Sequence, residues 1–108
     1  MRVYISGAVT GTDDYKERFS EAEAILTEIG YEVVNPVKEM EKFVDSSWDA
    51  IMGRCLSLLD TCNGIHLLNG WKESRGACME FGYALGRGIM PIRGIDIYVE
   101  KNRNLSSN

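Results

Sequence analysis

The sequence predicts one α/β domain: an open parallel sheet of four or five strands with helices on both faces. Three observations carry this. Short β-branched segments alternate with apolar stripes of helical period. Glycine or proline closes most of these segments. The chain has 108 residues, room for a single core. Strand–helix alternation implies right-handed crossovers and parallel strands, and a parallel sheet needs cover on both faces. The domain is expected over residues 1–100, with a polar, frayed tail at 101–108.

Residues 2–6, Arg-Val-Tyr-Ile-Ser, read as the first strand. A loop with Gly7 and Gly11 follows. Asp14 is placed to cap a helix, with Glu17 three residues on as its capping-box partner. Tyr15, Phe19, Ala22, Leu26 and Ile29 form that helix's apolar stripe, and Gly30 ends it. Residues 31–35 are the second strand, stopped by Pro36. Residues 37–46 read as a loop with room for one helical turn. Ser46 or Ser47 caps the next helix, whose apolar side includes Trp48, Ile51, Met52, Cys55, Leu58, Leu59 and Cys62. Residues 63–68 are the third strand, and 69–73 a loop. Ser74 opens a helix that runs to about residue 87. Residues 89–92 are the fourth strand, and 95–99 a further short strand or an interface segment.

Composition narrows the function. Net charge is -4, which argues against binding duplex nucleic acid or an anionic membrane. No segment has the length of a membrane span or the pattern of a secretory signal, so a cytoplasmic protein is expected. Cys55, Cys62 and Cys78 lack C-x-x-C spacing and are expected as small buried thiols. His66 lies in the third strand. Neither a zinc set, a Walker A loop nor a G-x-G-x-x-G fingerprint is present, so neither metal nor cofactor is expected. Three helices barely cover such a sheet, which points to a homo-oligomer.

Ligands of open α/β sheets bind beyond the carboxyl ends of the strands. Two of the loops expected there stand out. Ser6, Gly7, Val9 and Gly11 belong to a turn that is either a simple connection or a cradle of N–H groups. Ser74, Arg75 and Gly76 open the last helix, where free N–H groups attract anions and sugar oxygens. Gly76 inside a helix costs about 1 kcal/mol against alanine, so close approach of a ligand or another chain is expected there. Glu80 is the one carboxylate between Gly76 and Leu85 in a helix apolar nearly all round. It lies either on a narrow polar edge or in a pocket as a functional group. Trp71 either stacks on a planar ligand or lids the core. Arg75 either binds an anion or is simply exposed. Trp48 and Tyr15 are expected in the core.

Residues 4–11 (YISGAVTG), 31–36 (YEVVNP), Gly70-Trp71, Ser74-Arg75-Gly76-Ala77 and Glu80 together resemble a small domain family of phages and bacteria. That family is similar to the nucleoside 2-deoxyribosyltransferases and the 2′-deoxynucleoside 5′-monophosphate N-glycosidases. The resemblance spans residues 1 to about 93. It implies a flavodoxin-like three-layer sandwich and cleavage or transfer at the N-glycosidic bond of a nucleoside or nucleotide. Glu80 would be the nucleophile, forming a glycosyl ester. Tyr4 matches the family's first-strand tyrosine. Ser74 and Gly76 match residues that hold sugar or phosphate. Gly7, Val9 and Gly11 match backbone lining the pocket. The chain departs from the enzymes at two aspartates, replaced here by Cys55 and Asn63. The alternatives are a binding protein for a nucleotide derivative without turnover, and a purely structural oligomer.

Overall fold

A computed structural model describes residues 1–42 and 47–92 of the chain. Ser46, the segment 95–99 and the tail 101–108 lie outside the described residues.

The element order is β1 (Arg2–Ser6), α1 (Tyr15–Ile29), β2 (Glu32–Val34), α2 (Pro36–Met40), α3 (Trp48–Leu59), β3 (Gly64–Leu67), α4 (Arg75–Gly86) and β4 (Met90–Pro91). A single 3-10 turn, Trp71–Glu73, precedes α4. The four strands form one sheet in the order β2-β1-β3-β4, every pair parallel. This is the all-parallel α/β sheet that the alternation predicts, consistent with the flavodoxin-like fold that the resemblance implies. The register sets Val3 opposite Val33 and Gly64, and Tyr4 opposite Val34 and Ile65.

Strand side chains alternate between faces. Val3 and Ile5 pack with Phe19, Ala22 and Leu26 of α1 in one core cluster. Tyr4 and Ile65 pack with Cys55 and Leu59 of α3 and Ala84 of α4 in another. Each long helix buries a stripe with the same spacing: Phe19, Ala22 and Leu26 in α1; Met52, Cys55 and Leu59 in α3; Ala77, Glu80 and Ala84 in α4. Steps of three and then four residues keep these side chains on one face. In α4 the stripe is mostly alanine, which brings the helix close to the sheet.

Several local expectations need correction. Asp14 makes no side-chain cap, because its backbone (φ -105°, ψ 15°) leaves the extended conformation in which capping works. Residues 36–40 are a five-residue helix, started by the Asn35 carboxamide oxygen accepting from Val37 N at 3.1 Å, with Pro36 in the first turn. Ile29 is 43% exposed, because the stripe drifts off the core at its last turn. Cys78 is exposed rather than buried. Gly30, by contrast, ends α1 in the left-handed conformation (φ 115°) as expected.

Gly7 ends β1 against Leu68. A Cβ added there would meet Leu68 Cδ1 at 2.8 Å and Leu68 Cβ at 2.9 Å. Leu68 belongs to the α1-side core and cannot swing away freely. Gly7→Ala is therefore expected to cost about 1–3 kcal/mol, read by urea unfolding. An unchanged midpoint would place Leu68 elsewhere.

Candidate active site

A cavity of about 520 Å³ opens at the carboxyl ends of the strands, within the range of roughly 300–1,000 Å³ typical of small-molecule sites. Tyr4, Ile5, Gly7 and Val9 line it from β1 and its loop. Pro36 and Met40 of α2 and Trp48, Ile51, Met52 and Cys55 of α3 form the opposite side. Glu73, Ser74, Arg75, Gly76 and Glu80 complete it. The cleft thus lies where β1 and β3 send their connections to opposite faces, the switch point at which open sheets hold ligands.

Glu80 is 6% exposed and reaches this cavity from the buried stripe of α4. Both of its carboxylate oxygens are held. The Tyr4 hydroxyl donates to Oε2, and the Ser6 hydroxyl donates to Oε1 at 2.7 Å. Tyr4 and Ser6 are two residues apart on β1, so the pleat points both toward α4. Burial pushes the Glu80 carboxyl above the ordinary glutamate range, while the Tyr4 and Ser6 donors pull it back down. Tyr4 is fully buried, and burial raises its hydroxyl well above the usual tyrosine value, with the Glu80 charge adding to the effect. The phenol therefore keeps its proton. The Cys55 thiol faces the same group, and burial raises it also.

These shifts have a sign. The folded chain holds the Glu80 proton to higher pH than the unfolded chain does. The stability this supplies is fully present below the unfolded value and is lost as pH rises through the folded one. The difference in Tm between wild type and Glu80→Gln is expected to move against the wild type as pH rises across that window. A difference flat with pH would refute the shift.

The candidate residues separate into groups. Tyr4, Gly7, Val9, Ser74, Arg75, Gly76 and Glu80 meet around the cavity. Ser6 lies directly behind it, fully buried, on Glu80. Ser74 caps α4, its hydroxyl oxygen accepting from Ala77 N at 3.1 Å. Gly11 stands apart in a left-handed turn (φ 82°) with nothing within 4 Å of where a Cβ would sit. Trp71 also stands off the cavity lining, packed edge-on to Phe81 at 5.0 Å. The close neighbour of Gly76 is Met52 of α3, whose sulfur would lie 3.2 Å from an added Cβ. Helix packing therefore explains that glycine.

Sequence reasoning placed Trp48 in the core. It is instead 36% exposed on the cavity wall, with the Arg75 guanidinium 4.3 Å over its ring. Glu73 was not singled out, nor were Met40 and Met52 as wall residues. Only knowledge of how α2 and α3 cross the strand ends would reveal them. Asn63 lies at the other end of the sheet, where its carboxamide oxygen accepts from Arg2 N at 3.0 Å. Asp60 pairs with Arg87 at 2.9 Å, away from the cavity lining.

The DUF4406 family model, described as a domain of unknown function, matches residues 1–92. The chain belongs to the DUF4406 family. No curated protein and no solved structure matches it. Among the described residues of this DUF4406 domain, no group of three or more His, Cys, Asp or Glu is placed to hold a metal ion. Among them, too, no helix is long and apolar enough to cross a membrane.

Proposed function

We propose that this DUF4406 domain cleaves or transfers the N-glycosidic bond of a nucleoside or nucleotide, with Glu80 as nucleophile. One observation carries the reading: a buried carboxylate opens onto a cavity of nucleoside size with both oxygens fixed by Tyr4 and Ser6. A carboxylate so held supports attack at an anomeric carbon, where positive charge develops as the base departs. The fixed donors keep the anion available despite burial. The capped start of α4, with Ser74 and Gly76, supports binding of sugar hydroxyls or a 5′-phosphate.

In this mechanism one Glu80 oxygen bonds to C1′ while the C1′–N bond breaks. Water, or a second base, then displaces the carboxylate. The test is chromatography of nucleosides and their 5′-monophosphates incubated with the protein. Glu80-dependent appearance of free base is expected. No release from any substrate, or equal release by Glu80→Ala, refutes the reading.

The acid limb of the rate carries a second expectation. Because the nucleophile must be ionised, activity should rise with pH through a midpoint above the ordinary glutamate range. Tyr4→Phe removes a donor that favours the anion, so the limb should move to still higher pH. A limb that stays put would deny the Tyr4 contact a role.

A second reading, binding of a nucleotide derivative without turnover, is favoured by the thiol of Cys55 standing on the cavity wall beside Glu80. Ligand-induced thermal stabilisation that survives Glu80→Gln with no product would select it. A homo-oligomer stays part of either reading, supported by the exposed apolar Met79 and Leu85 on the outer side of α4.

A further inference from the structure

We propose that the substrates of this cavity are N-glycosides whose base already carries a positive charge, such as N7-alkylated purine or pyridinium nucleosides. The inference rests on the glycosidic reading above and names the substrate class for it.

Departure of a neutral purine or pyrimidine leaves charge on a ring nitrogen, and enzymes relieve it by protonation. Such a proton has no good source on the described floor of this cavity. The Tyr4 hydroxyl is committed to Glu80. The α3 side of the lining consists of Trp48, Ile51, Met52 and Cys55. A buried thiol with a raised pKa is poorly matched to a weakly basic ring nitrogen. Glu73 belongs to the exposed 3-10 turn at the rim rather than to the floor.

A cationic base needs no such proton. As Glu80 bonds to C1′, the electron pair of the C1′–N bond moves onto the nitrogen and cancels its charge. The base leaves neutral. Water then bonds to C1′ as the C1′–O bond of the ester breaks and its electron pair returns to the Glu80 carboxylate; the hydroxyl stays on the sugar and the second proton goes to solvent.

The walls suit such a ligand. Two carboxylates, Glu73 and Glu80, line the cavity against one guanidinium among its described lining residues, Arg75. The Trp48 ring already holds that guanidinium 4.3 Å over its face, a cation–π contact of the kind a cationic base would make. The Met40 and Met52 thioethers add polarisable surface suited to an aromatic ring.

The experiment compares guanosine with 7-methylguanosine, and 2′-deoxyguanosine with its 7-methyl derivative, each also as the 5′-monophosphate. Base release is followed by chromatography against enzyme-free blanks, which correct for spontaneous loss of the methylated base. Glu80-dependent cleavage of a methylated member at least about 100-fold faster than its neutral partner, the smaller contribution of a general acid, supports the proposal. A smaller ratio, or preference for the neutral member, overturns it and leaves the glycosidic reading standing. Failure on every pair, with other, uncharged nucleosides cleaved, also overturns it alone. Failure on every nucleoside removes both.

Discussion

Glu80→Gln is expected to abolish base release, a loss on the order of 10⁴-fold in kcat/KM, while the protein stays folded. The two effects separate because the side chains are nearly isosteric. The carboxamide oxygen of glutamine can still accept a hydroxyl proton, so Tyr4 or Ser6 keeps a partner in the buried stripe of α4. What disappears is the negative oxygen. Removing a buried charge also removes its desolvation cost, so the variant's Tm should equal or exceed that of the wild type at neutral pH. Chromatography and thermal melts on one preparation check both. A large fall in Tm with the loss of activity would make Glu80 a structural residue.

Leu59→Ala should produce the largest loss of stability, about 3 kcal/mol within the 2–5 kcal/mol range of buried leucine truncations. Leu59 is fully buried at the last turn of α3 and packs among Tyr4, Cys55, Ile65 and Ala84. Backbone helix on one side and sheet on the other leave the site little freedom to collapse, so a cavity should remain. Set against a total of about 5–15 kcal/mol, that is a large share, and the melting temperature should fall by more than about 10 °C. Urea unfolding reads it directly. A change below about 1 kcal/mol would mean that the α3–sheet packing is looser than described.

The fold was legible because its signals are local. β-branched runs ended by glycine or proline marked the first two strands and a short apolar run after Gly64 the third, and the stripes of α1 and α3 followed from side-chain spacing. Gly30 needed only its position after the stripe. The helical turn allowed for in residues 37–46 is α2, but its start at Pro36 was not legible because it depends on the pair Asn35-Pro36, which reads first as a strand ending. The candidate site was half legible. Glu80 stood out as an anion among apolar neighbours. The resemblance points to Tyr4 and the loop to Ser6, but neither signal makes them donors to Glu80, because that joint grip requires β1 to pack beneath α4. Trp48 fits an apolar stripe as well as Leu59 does, yet the helix's first turn overhangs the cleft. Periodicity tells which side of a helix faces inward, and says nothing of where the interior gives way to a hollow.

β1 contributes to two jobs through neighbouring residues. Val3 and Ile5 insulate the α1 layer, while Tyr4 and Ser6 serve the carboxylate on the other side. A slip of one residue along this strand would exchange the two sets. Hydroxyls would then be stranded in oil and aliphatic groups would face the acid. Correct threading of the chain and competence of the site are thus inherited together, so a misaligned molecule has no partial version of the chemistry to offer.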